Sequence, residues 1–267
     1  MKSSALLLLI GYSLLTVALA AQEPTDLTEP SRGPDKGTQY RVHGIQVLPA
    51  TGRPFSARDK IEWMRTLEDG SVITTRLFAT VARDSQGRIY REHRSSVPAN
   101  SNQQSSNEQS RWIDMVFLDP VAHTGTTRTI AKHYCAITSY HESATFTPVP
   151  AGPIAHGKAF LSRESLGTNI VDDLKAVGTR ETITISPGVV GNNQPLVTAR
   201  EFWYSPDLQV NLSITRKDPR IGTQVLQLVD LSTAEPDPAQ FRVPAGFVVQ
   251  KLRKPAITEK MPATIKP

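Results

Sequence analysis

The stretch that decides the fold runs from Phe55 to Arg94 and reads FSARDKIEWMRTLEDGSVITTRLFATVARDSQGRIYREHR. Apolar and polar side chains alternate along it in three runs, which is the pattern of strands that bury one face. Two turn sequences that end in glycine, Glu68-Asp69-Gly70 and Asp84-Ser85-Gln86-Gly87, separate the runs. Such turns between alternating segments are typical of hairpins, so we predict a three-stranded antiparallel meander over residues 55–95.

The same pattern continues to the C-terminal end of the chain. A helical period competes with it over Ala57–Leu67 and Gly157–Leu166, and one short helical turn is expected near Phe241. We therefore predict a mainly β fold, namely one large curved antiparallel sheet or incomplete barrel of about ten strands with one or two short helices. The strands predicted beyond the meander are Trp112–Leu118, Thr126–Ile137, Gly178–Ser186, Leu196–Tyr204, Val210–Ile214, Gln224–Leu231 and Phe247–Gln250.

Residues 1–20 have the layout of an export signal. Lys2 precedes an apolar stretch that ends in Ala18-Leu19-Ala20, a small-x-small cleavage sequence. We expect export to the periplasm or the extracellular space after cleavage near Ala20, with no stable membrane anchor left; the alternative is an uncleaved anchor. The predicted organisation is a signal peptide 1–20, a disordered leader 21–40, a single antiparallel β domain 41–251 and a loose C-terminal tail 252–267.

Charge and cysteine content narrow the class of partner. The net charge is +5 and the pI is about 9.4, but Lys and Arg alternate with Asp and Glu throughout. Nucleic-acid binding usually needs a basic block, so we expect no nucleic-acid partner.

Cys135 is the one cysteine, so the chain cannot form an internal disulfide. We expect a buried thiol there, with a cross-link between two chains as the alternative.

The residue types used in catalysis do not form a recognisable pattern. His133 and Cys135 are two positions apart and so face the same side of a strand, but two ligands do not make a zinc site. His141 and Glu142 are adjacent, so on a strand they would face opposite sides. Asp172-Asp173 is interpreted as a turn, and the nucleophile elbow, phosphate loop and dinucleotide motifs are missing from the sequence. We predict a non-enzymatic protein without metal or cofactor, and keep an unrecognised hydrolase as a minor alternative.

Several turn-containing segments carry a family resemblance. The chain resembles a group of exported bacterial proteins of unknown function, and more distantly its strand order is similar to the half-barrel superfamily of the lipoprotein carriers LolA and LolB and the RseB-like envelope-stress proteins. That resemblance implies an open β-sheet that cups a lipid or acyl chain, and it transfers no individual site residue. The segments that carry it are Arg83–Glu92, Phe117–Ala122, Glu201–Leu208, Asp218–Gly222 and Glu235–Phe241.

One apolar face is the candidate site. Phe202 and Tyr204 flank Trp203, so aromatic side chains lie on both faces of that strand. Our leading hypothesis is an extracytoplasmic envelope protein that binds a lipid or other apolar ligand on this face. The alternative is a protein–protein interaction or sensor module that uses an open strand edge or the loop 97–110. An open apolar trough would favour the ligand, and a filled one the partner protein. The candidate ligand-binding or core-face residues are Ile61, Trp63, Ile73, Leu77, Val81, Trp203 and Leu212.

Overall fold

The computed structural model describes residues 31–32, 38–39, 44–99, 112–129, 133–140, 149–243 and 245–251. The predicted signal peptide 1–20, most of the leader 21–40, loop residues 100–110 and the tail 252–267 lie outside the described residues. Within the described part of the chain, no helix is long and apolar enough to cross a bilayer.

Extended strands make up most of the described structure. Two 3-10 turns, Ala155–Gly157 and Pro238–Phe241, are the short helical elements of the same residues. The strands are β1 (Ser31–Arg32), β2 (Thr38–Gln39), β3 (Phe55–Thr66), β4 (Val72–Arg83), β5 (Ile89–Arg94), β6 (Val97–Pro98), β7 (Trp112–Asp119), β8 (Thr124–Thr129), β9 (Tyr134–Ser139), β10 (Gly152–Ile154), β11 (Ala159–Val171), β12 (Leu174–Ile185), β13 (Leu196–Ser205), β14 (Val210–Asp218), β15 (Gly222–Ser232) and β16 (Val248–Lys251).

Fourteen of these strands form one sheet. Their order is β10-β11-β12-β13-β14-β15-β3-β4-β5-β7-β8-β9-β16, and β6 also pairs with β4. β1 and β2 form a separate two-stranded pair. Neighbouring strands are antiparallel except β16, which runs parallel to β9. Because the terminal strands β10 and β16 do not pair with each other, the sheet is not closed. The chain therefore has the predicted fold, one large curved and mainly antiparallel sheet that forms an incomplete barrel.

The predicted meander is confirmed. β3, β4 and β5 follow one another as antiparallel neighbours, with Ile61 opposite Leu77 and Ile89 opposite Arg83. Every second residue of β3 from Phe55 to Ile61 is buried. The helical alternative over Ala57–Leu67 is wrong because burial follows the period of two that a strand imposes.

The prediction of a single strand over Thr126–Ile137 is wrong. The chain turns back between β8 and β9, so that Thr129 lies opposite Tyr134. The four residues between them, IAKH, include neither glycine nor proline, and His133 itself adopts a positive φ of 45°. A turn without its usual residues leaves an unbroken run of strand-forming residues in the sequence.

The helical alternative over Gly157–Leu166 is also wrong. β11 pairs with β12 from Ala159 to Val171, and most of its side chains beyond Leu161 are exposed on both faces. A strand that buries neither face shows no alternation of apolar and polar residues, so its sequence pattern does not distinguish it from a helix. Asp172 and Asp173 form the two-residue turn between these strands, as predicted, with φ values of 45° and 61°.

The C-terminal part of the chain agrees with the sequence more closely. The strands predicted at Leu196–Tyr204 and Gln224–Leu231 correspond to β13 and β15. The short helical turn occurs at Pro238–Phe241, where the Asp237 carboxylate accepts a hydrogen bond from the N–H of Ala239 at 2.8 Å. β16 occupies the position of the last predicted strand, but its parallel pairing departs from the antiparallel expectation.

The core lies mainly on the central strands. A smaller second cluster contains Ala82, Tyr90, Met115 and Phe241. The larger cluster combines one face of β3 and β4 with residues of β14 and β15, and so joins the two halves of the sheet. Its buried members are Ile45, Val47, Phe55, Ala57, Ile61, Leu77, Val81, Ile89, Ala176, Leu208, Val210, Leu212, Leu226 and Leu228.

Candidate functional site

The predicted apolar face coincides with the larger core cluster. Its buried members Ile61, Leu77, Val81 and Leu212 pack together, and Trp203 is partly buried against them. Trp63 is half-buried, and its indole N–H donates to the carbonyl of Ile221 at 2.7 Å. Ile73, near the start of β4, is 50% exposed and lies apart from the cluster.

A segment that precedes β3 covers this face. We call residues 44–54 the strap, because they lie against the core cluster without forming a strand. Ile45 and Val47 of the strap are buried members of that cluster, 0% and 7% exposed. The chain therefore fills the apolar face with its own side chains, and the described residues leave no open apolar trough there.

A buried carboxylate holds the N-terminal end of the strap. Asp59 Oδ2 accepts a hydrogen bond from the N–H of Ile45 at 2.7 Å and lies 3.8 Å from Arg91 Nη1. The Arg91 guanidinium also donates to the carbonyl of Ile45. Burial raises the pKa of the Asp59 carboxyl to about 6, although Arg91 and the Ile45 N–H both lower it. Gly44 packs so closely that a Cβ there would lie 2.5 Å from Asp59 Oδ2.

A buried guanidinium holds the other end of the strap. Arg83 is fully buried and donates to the carbonyls of Leu48 at 2.9 Å and Arg53 at 3.0 Å. It also donates to the carbonyl of Leu208, in the turn between β13 and β14. Burial lowers the pKa of Arg83 to about 10, with the Arg53 charge lowering it further. Carbonyl dipoles from the strap and from the β13–β14 turn offset the desolvation of this cation, so Arg83 ties the strap to the sheet.

Sequence reasoning missed these anchors, although a signal for them exists. Asp59 follows Phe55 and Ala57 in the buried set of alternate β3 positions, and Arg83 follows Leu77 and Val81 in that of β4. A charged residue in a buried register position needs a specific partner in the folded protein. The partners lie in the strap, and no local pattern in the sequence connects the strap to these strands.

The described surface also contains two open depressions. One, of about 480 Å³, lies among the turns that carry Ala50, Gln86 and Val121. The other, of about 460 Å³, includes Arg65 and Lys217. Both are open to solvent, so neither offers the enclosed apolar space that a lipid tail needs.

The two edges of the sheet differ in how they end. β10 is three residues long and contains Pro153, which has no N–H to offer an added strand. β16 is four residues long, all exposed, and it presents Val248 and Val249, 67% and 48% exposed. The N–H of Val248 donates to the carbonyl of His133 at 2.9 Å. Because successive residues of a strand point their N–H groups to opposite sides, the N–H of Val249 faces the open edge.

Of the residues considered for metal or redox chemistry, the structure describes His133, Cys135, Asp172 and Asp173. Cys135 is buried, and burial raises the pKa of its thiol, as expected for an inert thiol. His133 is exposed, while His141 and Glu142 lie outside the described residues. Within the residues that the structure describes, no group of three His, Cys, Asp or Glu side chains could hold a metal ion.

The sequence matches no protein-family model and no curated protein. A solved structure of the Pseudomonas aeruginosa MucA/MucB complex is similar at 13% identity and a TM-score of 0.35, over 75% of this chain and 59% of that chain. A LolA superfamily protein from Nitrosomonas europaea is similar at 10% identity and a TM-score of 0.28, over 73% of this chain and 92% of that chain.

Proposed function

We propose that this protein is a non-enzymatic extracytoplasmic module that binds an extended segment of another envelope protein at the β16 edge. The contrast between the two edges of the sheet supports this proposal most directly. Pro153 removes an N–H from the β10 edge, whereas β16 presents exposed valines and an N–H of Val249 that points away from β9. The filled apolar face adds support, because the strap occupies the surface that an apolar ligand would need.

The chemistry of the edge defines its partner. An added strand would bond to the outward N–H and carbonyl of Val249, and its alternate apolar side chains would cover the exposed valines. Main-chain hydrogen bonds supply affinity in this mode, and the side chains on alternate positions supply selectivity. We therefore expect the partner to contribute a short alternating apolar segment.

Val249→Pro is the sharpest test, because it removes the outward N–H and leaves the ladder with β9 intact. The matched control is Val249→Ala, which keeps the N–H and shortens the side chain. We expect envelope extracts passed over immobilised protein to yield one stoichiometric partner with the wild type and the Ala variant, and to lose it with the Pro variant. Equal capture by all three proteins, or equal loss from both variants, would contradict binding by strand addition.

A second candidate function is binding of an apolar ligand on the sheet after the strap moves away. The specific observation in its favour is that residues 44–54 form no strand, so polar anchors and two apolar side chains hold the strap against the core. A ligand that displaced Ile45 and Val47 would bury its methylene groups in their place, at about 0.8 kcal/mol for each.

Gly44→Ala tests the second candidate because its methyl group would meet Asp59 and Arg91 and disturb the anchor. The control is Thr51→Ala in the same strap, at an exposed side chain. We expect the Gly44 variant, and not the control, to increase the fluorescence of a dansyl-labelled fatty acid. Unchanged dye binding in a folded Gly44 variant would remove this candidate and leave the edge proposal standing.

A further inference from the structure

The loop between β12 and β13 is an exposed apolar tip. From Thr182 to Ala199 the sequence has no charged residue. At the turn of this hairpin Val189 and Val190 are 41% and 54% exposed, and they lie between Gly188 and Gly191, both at φ 82°. We call residues 186–195 the uncharged tip. Adjacent exposed valines on an uncharged loop are an unusual surface for a protein that faces only water.

Several backbone groups of the uncharged tip are hydrogen-bonded within the loop. The Asn192 side chain accepts from the N–H of Val190 at 3.1 Å and donates to the carbonyls of Ser186 and Gln194 at 3.0 and 2.7 Å. The N–H of Gly188 donates to the carbonyl of Asn192 at 2.6 Å. A loop whose polar groups already bond to one another loses less free energy on entering a poorly hydrated environment.

The apolar surface continues from the tip onto the adjoining strands. Phe160 of β11 lies opposite Thr184, and Thr184 lies opposite Val197 of β13, so the three share one face. Phe160 is 52% exposed and Val197 is 46% exposed. The valines of the tip and these two residues therefore mark one corner of the sheet as apolar.

Cationic side chains border this corner. Lys158 is exposed, and its carbonyl accepts from the N–H of Ser186 at 3.0 Å, so it stands at the base of the tip. The depression that includes Val197 is also lined by Arg65, Lys217 and Arg220. Asp218, the one acidic residue of that lining, is held by Arg220 at 2.6 Å. An uncharged apolar tip beside a positive rim is complementary to a bilayer with anionic headgroups.

We propose that the uncharged tip is a membrane-docking element that inserts Val189 and Val190 among the headgroups of an anionic lipid bilayer. Lys158 and Lys217 contact the headgroups at the rim, and the β16 edge remains free to bind its partner. Docking of this kind is peripheral and reversible, because two valines bury far less apolar surface than a spanning segment.

Vesicle sedimentation tests the proposal on protein purified after export. We expect binding to vesicles of phosphatidylglycerol and phosphatidylcholine, little binding to phosphatidylcholine alone, and weakening by about 0.5 M salt as charge screening requires. Val189→Asp combined with Val190→Asp should reduce partition by at least about tenfold. The matched control is Val121→Asp in the β7–β8 turn, which is 70% exposed and should bind as the wild type does.

A second readout locates the contact. A nitrobenzoxadiazole dye on Val190→Cys, with Cys135 protected by burial, should shift its emission to the blue on anionic vesicles. An unshifted dye, or equal binding by the aspartate variants and the wild type, would overturn the proposal. A third result is that the protein binds no vesicle and the aspartate variants lose a protein partner. In that case the tip would be a protein-docking surface, and the membrane assignment would be wrong. Neither result depends on whether Val249→Pro affects the β16 edge.

Discussion

Arg83 is a buried cation. Among the described residues its hydrogen-bond acceptors are backbone carbonyls, where a buried cation would usually have a carboxylate. Its planar guanidinium reaches the carbonyls of Leu48, Arg53 and Leu208 at the same time. It also lies over the Phe55 ring at 5.2 Å from the ring centre. A lysine ammonium is a point donor and does not match that geometry, so charge alone does not account for the residue found here.

Arg83→Lys should therefore destabilise the protein by about 2–4 kcal/mol, because carbonyls in the strap and the β13–β14 turn lose buried donors. Urea unfolding measures the effect as a lower midpoint at constant slope. The matched control is Arg76→Lys on the same strand, where a half-exposed ion pair with Glu62 predicts a change below about 1 kcal/mol. Similar losses in the two variants would mean that Arg83 does not hold the strap.

Asp59 predicts an unusual dependence of stability on pH. Its carboxyl has a pKa of about 6 in the folded protein against an ordinary value of 3.8, so between these pH values the folded state binds a proton that the unfolded state has already lost. Stability from this group is present below about pH 4 and declines as pH rises through 6, by about 3 kcal/mol in total. The sign is opposite to that of an exposed, ion-paired carboxylate.

Asp59→Asn removes that titration while keeping the size of the side chain. Between pH 4 and pH 7 the unfolding free energy of the wild type should fall, whereas that of the Asn variant should not show this loss. Denaturant titrations at several pH values measure this difference directly. Parallel curves for Asp59→Asn and the wild type would show that Asp59 is not titrating as a buried acid.

At the scale of elements, the β11–β12 hairpin turns on Asp172 and Asp173, although glycine suits the second position of such a turn better than aspartate does. Asp172 and Asp173 both have positive φ, the arrangement that Asn-Gly adopts most easily. Replacing the pair by Asn-Gly should stabilise the protein by about 0.5–1 kcal/mol, measured as a higher melting temperature. An Ala-Ala replacement should lower the melting temperature, because alanine disfavours positive φ. Opposite shifts in the two variants are the expected pattern, and shifts of one sign would contradict it.

Some strands and turns of the fold could be predicted from sequence patterns, and others could not. The β3–β5 meander was predictable because Gly70 and Gly87 mark its turns and burial alternates along β3 and most of β4. The β8–β9 turn was missed because its residues lack glycine and proline, and β11 was missed because it buries neither face. The parallel pairing of β16 with β9 joins segments far apart in sequence, and it depends on tertiary packing that no local period records.

For the candidate site, the sequence identified the apolar face and missed what covers it. Ile61, Leu77 and Leu212 were predictable from alternation, since each belongs to a strand that buries one side. The strap has no period of its own, and its anchors Asp59 and Arg83 are charged residues in positions that normally hold apolar ones. Whether a β-sheet face is open or filled depends on such long-range contacts, so sequence alone left both functions possible.

At the scale of the whole molecule, the sheet consists of two arms that meet where β15 pairs with β3. Leu226 is fully buried at this joint, with Ile61 opposite on one side and Ile214 opposite on the other. The core cluster draws residues from both arms and from the strap. A shared core predicts that the arms unfold together as one domain, although each is extensive enough to pair internally.

Leu226→Ala tests that cooperativity, because it leaves a cavity at the joint and should cost about 3 kcal/mol. Native-state hydrogen exchange should show the same loss of protection free energy for amides of β12 in one arm and β8 in the other. Val225→Ala is the matched control, since its side chain lies on the opposite, half-exposed face of β15 and should change both arms by less than about 1.5 kcal/mol. If Leu226→Ala weakened the β12 amides and spared those of β8, the arms would be independent units. The strap would then stabilise only the arm that contains it.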